Sequence, residues 1–301
     1  MDPMIPFEQA AGMLPLNLRQ PVLSVPRTER MLAEEFRLRV GYPLSIALPQ
    51  GEAFLPGSPI VTSKDLYSVL EISTKASAHT ALERVRQGYV AVQGGHRLGL
   101  CGSVVSKDGT VRNMRCISSL NLRIAKQIRG IGDELLGEVF VQGQFSSVLV
   151  LGPPGGGKTT LLRDLVRGLS AGIRGTPMRV GVVDERGELG AMWDGVPQFD
   201  LGPHTDVLDG CSKADGLMMI LRGMNPQVLA VDEITAPEDV DAMLTVSGCG
   251  VALLATAHAR SMKDLQERPL YERLLHRKVF QRLIWIEMSG GMRKYRVEDI
   301  T

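Results

Sequence analysis

LVLGPPGGGKTTLL, spanning Leu149–Leu162, sets a glycine-rich loop between an apolar run and a helix-forming segment. Gly152, Gly157, Lys158 and Thr159 occupy the fixed places of the G-x-x-x-x-G-K-[ST] pattern. Glycines let successive backbone N–H groups turn inward around phosphate oxygens, and the helix that follows adds the positive end of its dipole. The pattern predicts a phosphate-gripping loop over Gly152, Pro153, Pro154, Gly155, Gly156, Gly157, Lys158, Thr159 and Thr160. In such a loop Lys158 reaches the β- and γ-phosphates of ATP, and the Thr159 hydroxyl binds Mg²⁺. A glycine-rich turn that matches by chance is the competing reading, and the strand–loop–helix setting argues against it.

Three further apolar runs end in polar residues that suit the same chemistry. Val228–Val231 runs into Asp232 and Glu233. A carboxylate at a strand tip beside the loop holds Mg²⁺ through water, the role expected of Asp232, and Glu233 then polarises the attacking water as general base. Val180–Val183 ends similarly, in Asp184-Glu185-Arg186, with Glu188 close behind. Parallel strands bring their carboxyl ends to one edge, where ligands bind. Glu185 and Glu188 therefore either face the same nucleotide or pair with Arg186 and serve structure alone. His258, after Leu254–Ala257, either senses a γ-phosphate from that edge or is a structural histidine.

Farther out, the chain divides by pattern. From about Asp133 a helix over Asp133–Gln142 leads to apolar runs at Ser147–Leu151, Met178–Val183, Val228–Val231 and Val251–Ala255. Such runs, separated by crossovers, predict an α/β fold with a largely parallel sheet covered on both faces. Leu283–Met288, Ser289-Gly290-Gly291 and Lys294–Val297 read as a closing hairpin. Before Asp133 the signals are those of a small α+β unit. Met31, Leu32, Glu35, Phe36 and Leu38 have helical spacing over Arg27–Gly41. A short strand is expected over Tyr42–Leu48, a turn-rich connection over Pro49–Ser58, and a helix capped by Thr62 or Ser63 through Ile72. A helix over Ser77–Gln87 and short strands at Tyr89–Gln93, His96–Val105 and Thr110–Cys116 follow, with Asp108-Gly109 as a hairpin turn.

Composition excludes several classes. The 301 residues carry a net charge of +1, so nothing global attracts nucleic acid or an anionic membrane, and nucleic acid is not an expected partner. No apolar stretch approaches the roughly 18–20 residues that span a bilayer, and the N-terminus lacks the pattern of a secretory signal. The four cysteines, Cys101, Cys116, Cys211 and Cys249, have no metal-ligand spacing and are expected to be small buried residues in a reducing cytoplasm.

Taken in order, the phosphate loop, VVDERGEL, LRGMNPQVLAVDE and LATAHA resemble the Walker A, Asp box, Walker B and His box of the secretion-type ATPases of type II and type IV systems. GHRLGLCG, SSLNLRIAKQIRG and TDVLDGCSKADGLMMILRGMNP are similar to the stage III sporulation AA group of these ATPases, from about Arg27 onward. The resemblance implies a RecA-like P-loop ATPase domain over residues 133–301 and a smaller N-terminal α+β domain over residues 1–132 that supplies arginines and subunit contacts. It implies a cytoplasmic, hexameric motor using ATP and Mg²⁺, peripheral to membrane-bound subunits of a sporulation channel complex between mother cell and forespore. That motor sits on the mother-cell side of the forespore membrane and does not insert in it. Arg123 in NLRIA is the best match for a phosphate-bridging arginine, followed by Arg97 and Arg129. The resemblance also adds weight to catalytic roles for Glu185, Glu188 and His258, and to a neighbouring-subunit contact for Arg222. Thr235 departs from the glycine usual in the group, and the residues before about Leu23 match nothing.

Three other functions compete. A RecA-like ATPase acting with nucleic acid is disfavoured by the balanced charge. A small-molecule kinase needs an arginine-rich lid that the chain lacks, and Glu233 beside Asp232 favours water as acceptor. An ATP-binding scaffold is separated from an enzyme only by turnover.

Overall fold

The computed structural model describes residues 4–75, 88–107, 110–289 and 292–300. The helix expected over Ser77–Gln87 and the turn residues Asp108-Gly109 and Gly290-Gly291 lie outside the described residues. The chain forms two compact units. One runs to Lys126 and takes in Trp193–Gln198, and the other comprises Gln127–Met192 and the chain from Phe199 onward.

The first unit opens with helices α1 (Ile5–Gly12), α2 (Leu16–Leu23) and α3 (Arg27–Leu32). No motif marks most of this segment, yet Phe7, Leu14, Leu18 and Val22 are fully buried in the unit's core. Phe7 meets Phe36 edge-on, with ring centroids 5.2 Å apart. Arg19 closes the end of α1 by donating to the carbonyls of Gly12 at 2.6 Å and Leu14 at 2.8 Å, satisfying groups that the helix leaves open.

The single helix expected over Arg27–Gly41 is instead α3 followed by β1 (Glu35–Arg39). From Glu35 onward burial alternates, with Phe36 and Leu38 inside, so a period of two overrides the helical spacing once neighbouring strands pair with the segment. β2 (Ser45–Leu48) and β3 (Gly51–Phe54) form a hairpin, which puts a strand inside the expected Pro49–Ser58 connection. Helix α4 (Ser63–Ser73) follows, and its cap is Thr62, which exchanges hydrogen bonds with Asp65 in a capping box. β4 (Tyr89–Ala91), β5 (Arg97–Lys107) and β6 (Thr110–Arg123) complete an antiparallel sheet of order β3-β2-β1-β6-β5-β4. β6 runs seven residues beyond its expected end at Cys116 and carries Arg123 in register with Arg97.

The second unit begins with α5 (Asp133–Val139), shorter than expected because a two-stranded hairpin, β7 (Phe140–Val141) and β8 (Gln144–Phe145), follows at once. Its main sheet contains β9 (Val148–Leu151), β10 (Val180–Asp184), β11 (Thr205–Asp209), β12 (Val228–Val231), β13 (Ala252–Ala257), β14 (Arg282–Ser289) and β15 (Met292–Asp299). Their order is β11-β10-β12-β13-β9-β14-β15, parallel except for the β14–β15 hairpin. Along β9, Val148 and Val150 enter one core while Leu149 and Leu151 enter the other, as a sheet covered on both faces requires. Helices α6 (Lys158–Ala171), α7 (Lys213–Gly223), α8 (Pro237–Gly248), α9 (Met262–Gln266) and α10 (Pro269–His276) belong to this unit. This is the RecA-like α/β architecture. Edge strand β11, with only Val207 and Leu208 apolar, carried no sequence signal.

The cysteines correct another expectation: Cys101, Cys116 and Cys249 are exposed and Cys211 is half-buried, all as free thiols.

His96 is a buried titratable group in the first unit's core. Its Nδ1 accepts the Ala125 N–H at 3.0 Å, and burial lowers its pKa from 6.5 to about 4. Because the folded-state value lies below the unfolded one, the stability from neutral His96 is full above about pH 6.5 and is lost as pH falls toward 4. The loss amounts to about 3 kcal/mol. Urea unfolding of His96→Gln, read against the wild type between pH 7 and 4, is expected to show a correspondingly flatter pH dependence.

Candidate functional site

The phosphate loop links buried strand β9 to α6, and its conformation demands glycine at two points, Gly155 at φ +69° and Gly157 at φ +96°. Lys158, the first residue of α6, is buried. Its ammonium donates to the carbonyls of Gly152 at 3.1 Å and Pro153 at 3.0 Å and to His258 Nδ1 at 2.8 Å. Desolvation lowers its pKa, and the nearby carboxylates of Asp232 and Glu233 oppose that shift.

Asp232, at the end of β12, is held from two sides. The Thr159 hydroxyl donates to one carboxylate oxygen and the Thr256 hydroxyl to the other, each at 2.6 Å. Thr256 is fully buried on β13 and also accepts the Glu233 N–H at 2.8 Å. Glu233 adopts φ +45°, a left-handed turn that ends the strand. Its carboxylate lies 2.9 Å from His258 Nε2 and 2.8 Å from Arg186 Nη1. With Lys158 donating to Nδ1, His258 carries its hydrogen on Nε2 and donates it to Glu233. Lys158, His258, Glu233 and Arg186 thus form one continuous polar chain across three strand ends.

The acids after β10 separate in role. Asp184 is buried and accepts N–H groups from Glu188, Leu189, Gly190 and Ala191, so it shapes its own loop. Arg163 on α6 fixes the same loop by donating to the Leu189 carbonyl at 3.0 Å. Glu185 pairs with the buried Lys213 of α7, whose ammonium also lies 3.7 Å from Asp239 of α8. Glu185, Arg186, Glu188, Lys213, Asp232 and Glu233 line one small cleft at this sheet edge. Arg186 pairs with Glu233, across strands.

Arg97 and Arg123 belong to the first unit, side by side on β5 and β6, with Arg97 over the Tyr89 ring at 4.6 Å. Arg129 belongs to the second and pairs with Asp200 at 3.2 Å. Arg222 is exposed on α7. The loop containing Thr235 is fixed by Asp239, which accepts the backbone N–H groups of Thr235 and Ala236 at 3.1 Å each. Sequence reading missed Thr256, Lys213 and Arg293. Thr256 sits inside the quoted LATAHA segment, so a polar residue in an apolar strand was its available signal. Arg293 donates Nε–H to the Gly156 carbonyl at 2.9 Å, from a strand with no motif of its own. Among the described residues no group of three or more His, Cys, Asp or Glu side chains is gathered to hold a metal ion. Among them, too, no helix is long and apolar enough to cross a membrane.

A family model described as "Sporulation stage III, protein AA" matches residues 7–298. The chain belongs to that family. Stage III sporulation protein AA of Bacillus subtilis (strain 168) is 38% identical over 286 residues, covering 95% of this chain and 92% of that protein. Protein SEEDLING PLASTID DEVELOPMENT 1 of Arabidopsis thaliana is 29% identical over 168 residues, 55% of this chain and 24% of the plant protein. Among solved structures, the pilus retraction motor PilT with bound ADP superposes at a TM-score of 0.59 and 19% identity, covering 91% of this chain and 81% of that one. The ATPase DotB of Legionella pneumophila superposes at 0.55 and 16% identity, covering 88% and 76%. At these identities the two structures speak for the fold of this sporulation family member.

Asp184 sets the shape of the acidic loop, so Asp184→Ala leaves several buried N–H groups unpaired. The expected outcome is a stability loss on the order of 3 kcal/mol in urea unfolding, with faster proteolysis within residues 185–192.

Proposed function

We propose that this chain is a Mg²⁺-dependent ATPase, a motor peripheral to the membrane-bound subunits of a sporulation secretion or channel complex between mother cell and forespore. The observation that carries the reading is the polar chain from Lys158 through His258 to Glu233, set beside the Thr159–Asp232–Thr256 bonds at one sheet edge. Lys158 serves the phosphates, and Glu233 takes the proton of the attacking water as general base. Glu185 and Glu188 supply further negative charge at that edge, and His258 ties the phosphate end of the site to the base. Thr159 and Asp232 are hard oxygen donors that already converge, a donor set suited to Mg²⁺. The metal's contribution when bound is to neutralise charge on the phosphates.

In this reading residues 133–301 work as the catalytic domain, and residues 1–132 supply arginines and subunit contacts, with Arg123 as the foremost phosphate ligand. The working form is a homo-oligomer, with six subunits the number implied by resemblance to the secretion-type ATPases. The match to Stage III sporulation protein AA of Bacillus subtilis supports the role in sporulation, and the placement at the mother-cell side of the forespore membrane comes from the resemblance alone.

Steady-state phosphate release tests the assignment. Lys158→Ala is expected to abolish Mg²⁺-dependent turnover. Glu233→Gln is expected to keep ATP binding while kcat falls by roughly 10²–10⁴-fold. Turnover by Glu233→Gln at the wild-type rate would move the base elsewhere, and turnover by Lys158→Ala would remove the loop from the reaction.

A further inference from the structure

The C-terminal hairpin braces the phosphate loop at both ends. Where the loop begins, a Cβ on Gly152 would stand 3.1 Å from Ile286 Cβ on β14. Where it ends, Arg293 of β15 donates to the Gly156 carbonyl at 2.9 Å, and a Cβ on Gly157 would stand 3.0 Å from the same Nε. Met288 of β14 is the register partner of Arg293, so the hairpin ladder fixes where this guanidinium leaves the strand.

The bond matters because of what a trans peptide enforces. Its C=O and the following N–H point in opposite directions. The Gly156 carbonyl, drawn toward Arg293 on one side, sends the Gly157 N–H to the other. Neither residue has a side chain to hold this peptide, and Gly157 at φ +96° can rotate at little steric cost. A phosphate cradle needs those N–H groups aimed inward before the ligand arrives, since each one left to reorient costs affinity.

We propose that Arg293 is a positioning residue for phosphate binding, holding the Gly156–Gly157 peptide so that the Gly157 N–H faces the phosphates of a nucleoside di- or triphosphate. The proposal rests on the nucleotide reading above. It also accounts for glycine at position 157 by a second constraint, the space that the Arg293 side chain takes. Arg293 is exposed, so its removal leaves the core intact.

Calorimetric titration of ADP into the full chain, as wild type, Arg293→Ala and Arg293→Lys, tests this. Arg293→Ala loses a charge-assisted hydrogen bond and is expected to raise the ADP Kd about ten-fold or more. Arg293→Lys keeps a cationic donor and is expected to recover part of that loss. The KM for ATP is expected to rise in parallel with the ADP Kd, kcat at saturation to change less than about three-fold, and the nucleotide-free melting temperature to stay unchanged. Wild-type ADP binding that Arg293→Ala leaves intact overturns the proposal alone, as does a fall in kcat with KM unchanged. Failure of the wild type to bind ADP overturns the nucleotide reading and this proposal with it.

Discussion

Asp232 is the point on which the site is built. Its two carboxylate oxygens each accept a hydroxyl at 2.6 Å, one from the phosphate loop's helix and one from the neighbouring strand. Through Thr159 it fixes the start of α6, and through Thr256 it fixes β13, whose hydroxyl in turn holds the Glu233 backbone. Three strand ends are thereby set relative to one another by one half-buried carboxylate.

The loops around that centre are each secured by a polar group of their own. Asp184 gathers four backbone N–H groups and so gives the Asp184–Ala191 segment its shape. Asp239 does the same for Thr235 and Ala236, and Lys213 joins Asp239 to Glu185. Arg293 secures the phosphate loop itself. Acidic residues that look alike in the sequence therefore divide into those that bind backbone N–H groups of a loop and those that pair with other side chains. That division is a matter of burial: Asp184 and Asp239 are almost inaccessible, while Glu185 and Glu233 keep part of their surface in solvent.

The parallel sheet was legible because its strands are buried on both faces and read as unbroken apolar runs, and the phosphate loop because only glycine fits its backbone. Edge strand β11 was not, since one exposed side removes the apolar run that marks its neighbours. In the first unit, Phe36 and Leu38 satisfy both a helical and a strand period over so short a span, and pairing with β2 and β6 decides between them. At the site, the sequence placed Asp232, Glu233 and His258 at strand ends but could not supply the cross-strand partners. Arg186 pairing with Glu233 spans 47 residues, and Arg293 meeting Gly156 spans 137, so neither leaves a local pattern. The N-terminal helices were silent for a different reason: their buried residues pack on a sheet formed later in the chain.

On the function proposed above, the Thr159–Asp232 pair receives the metal of a bound nucleotide. A structure of the full chain with Mg²⁺ and a non-hydrolysable ATP analogue tests it most directly. The expected result has Mg²⁺ at roughly 2.1 Å from the Thr159 hydroxyl, with a metal-bound water on Asp232 and the direct Thr159–Asp232 bond opened. A nucleotide bound with that bond intact, or with its metal held by other residues, would contradict the account.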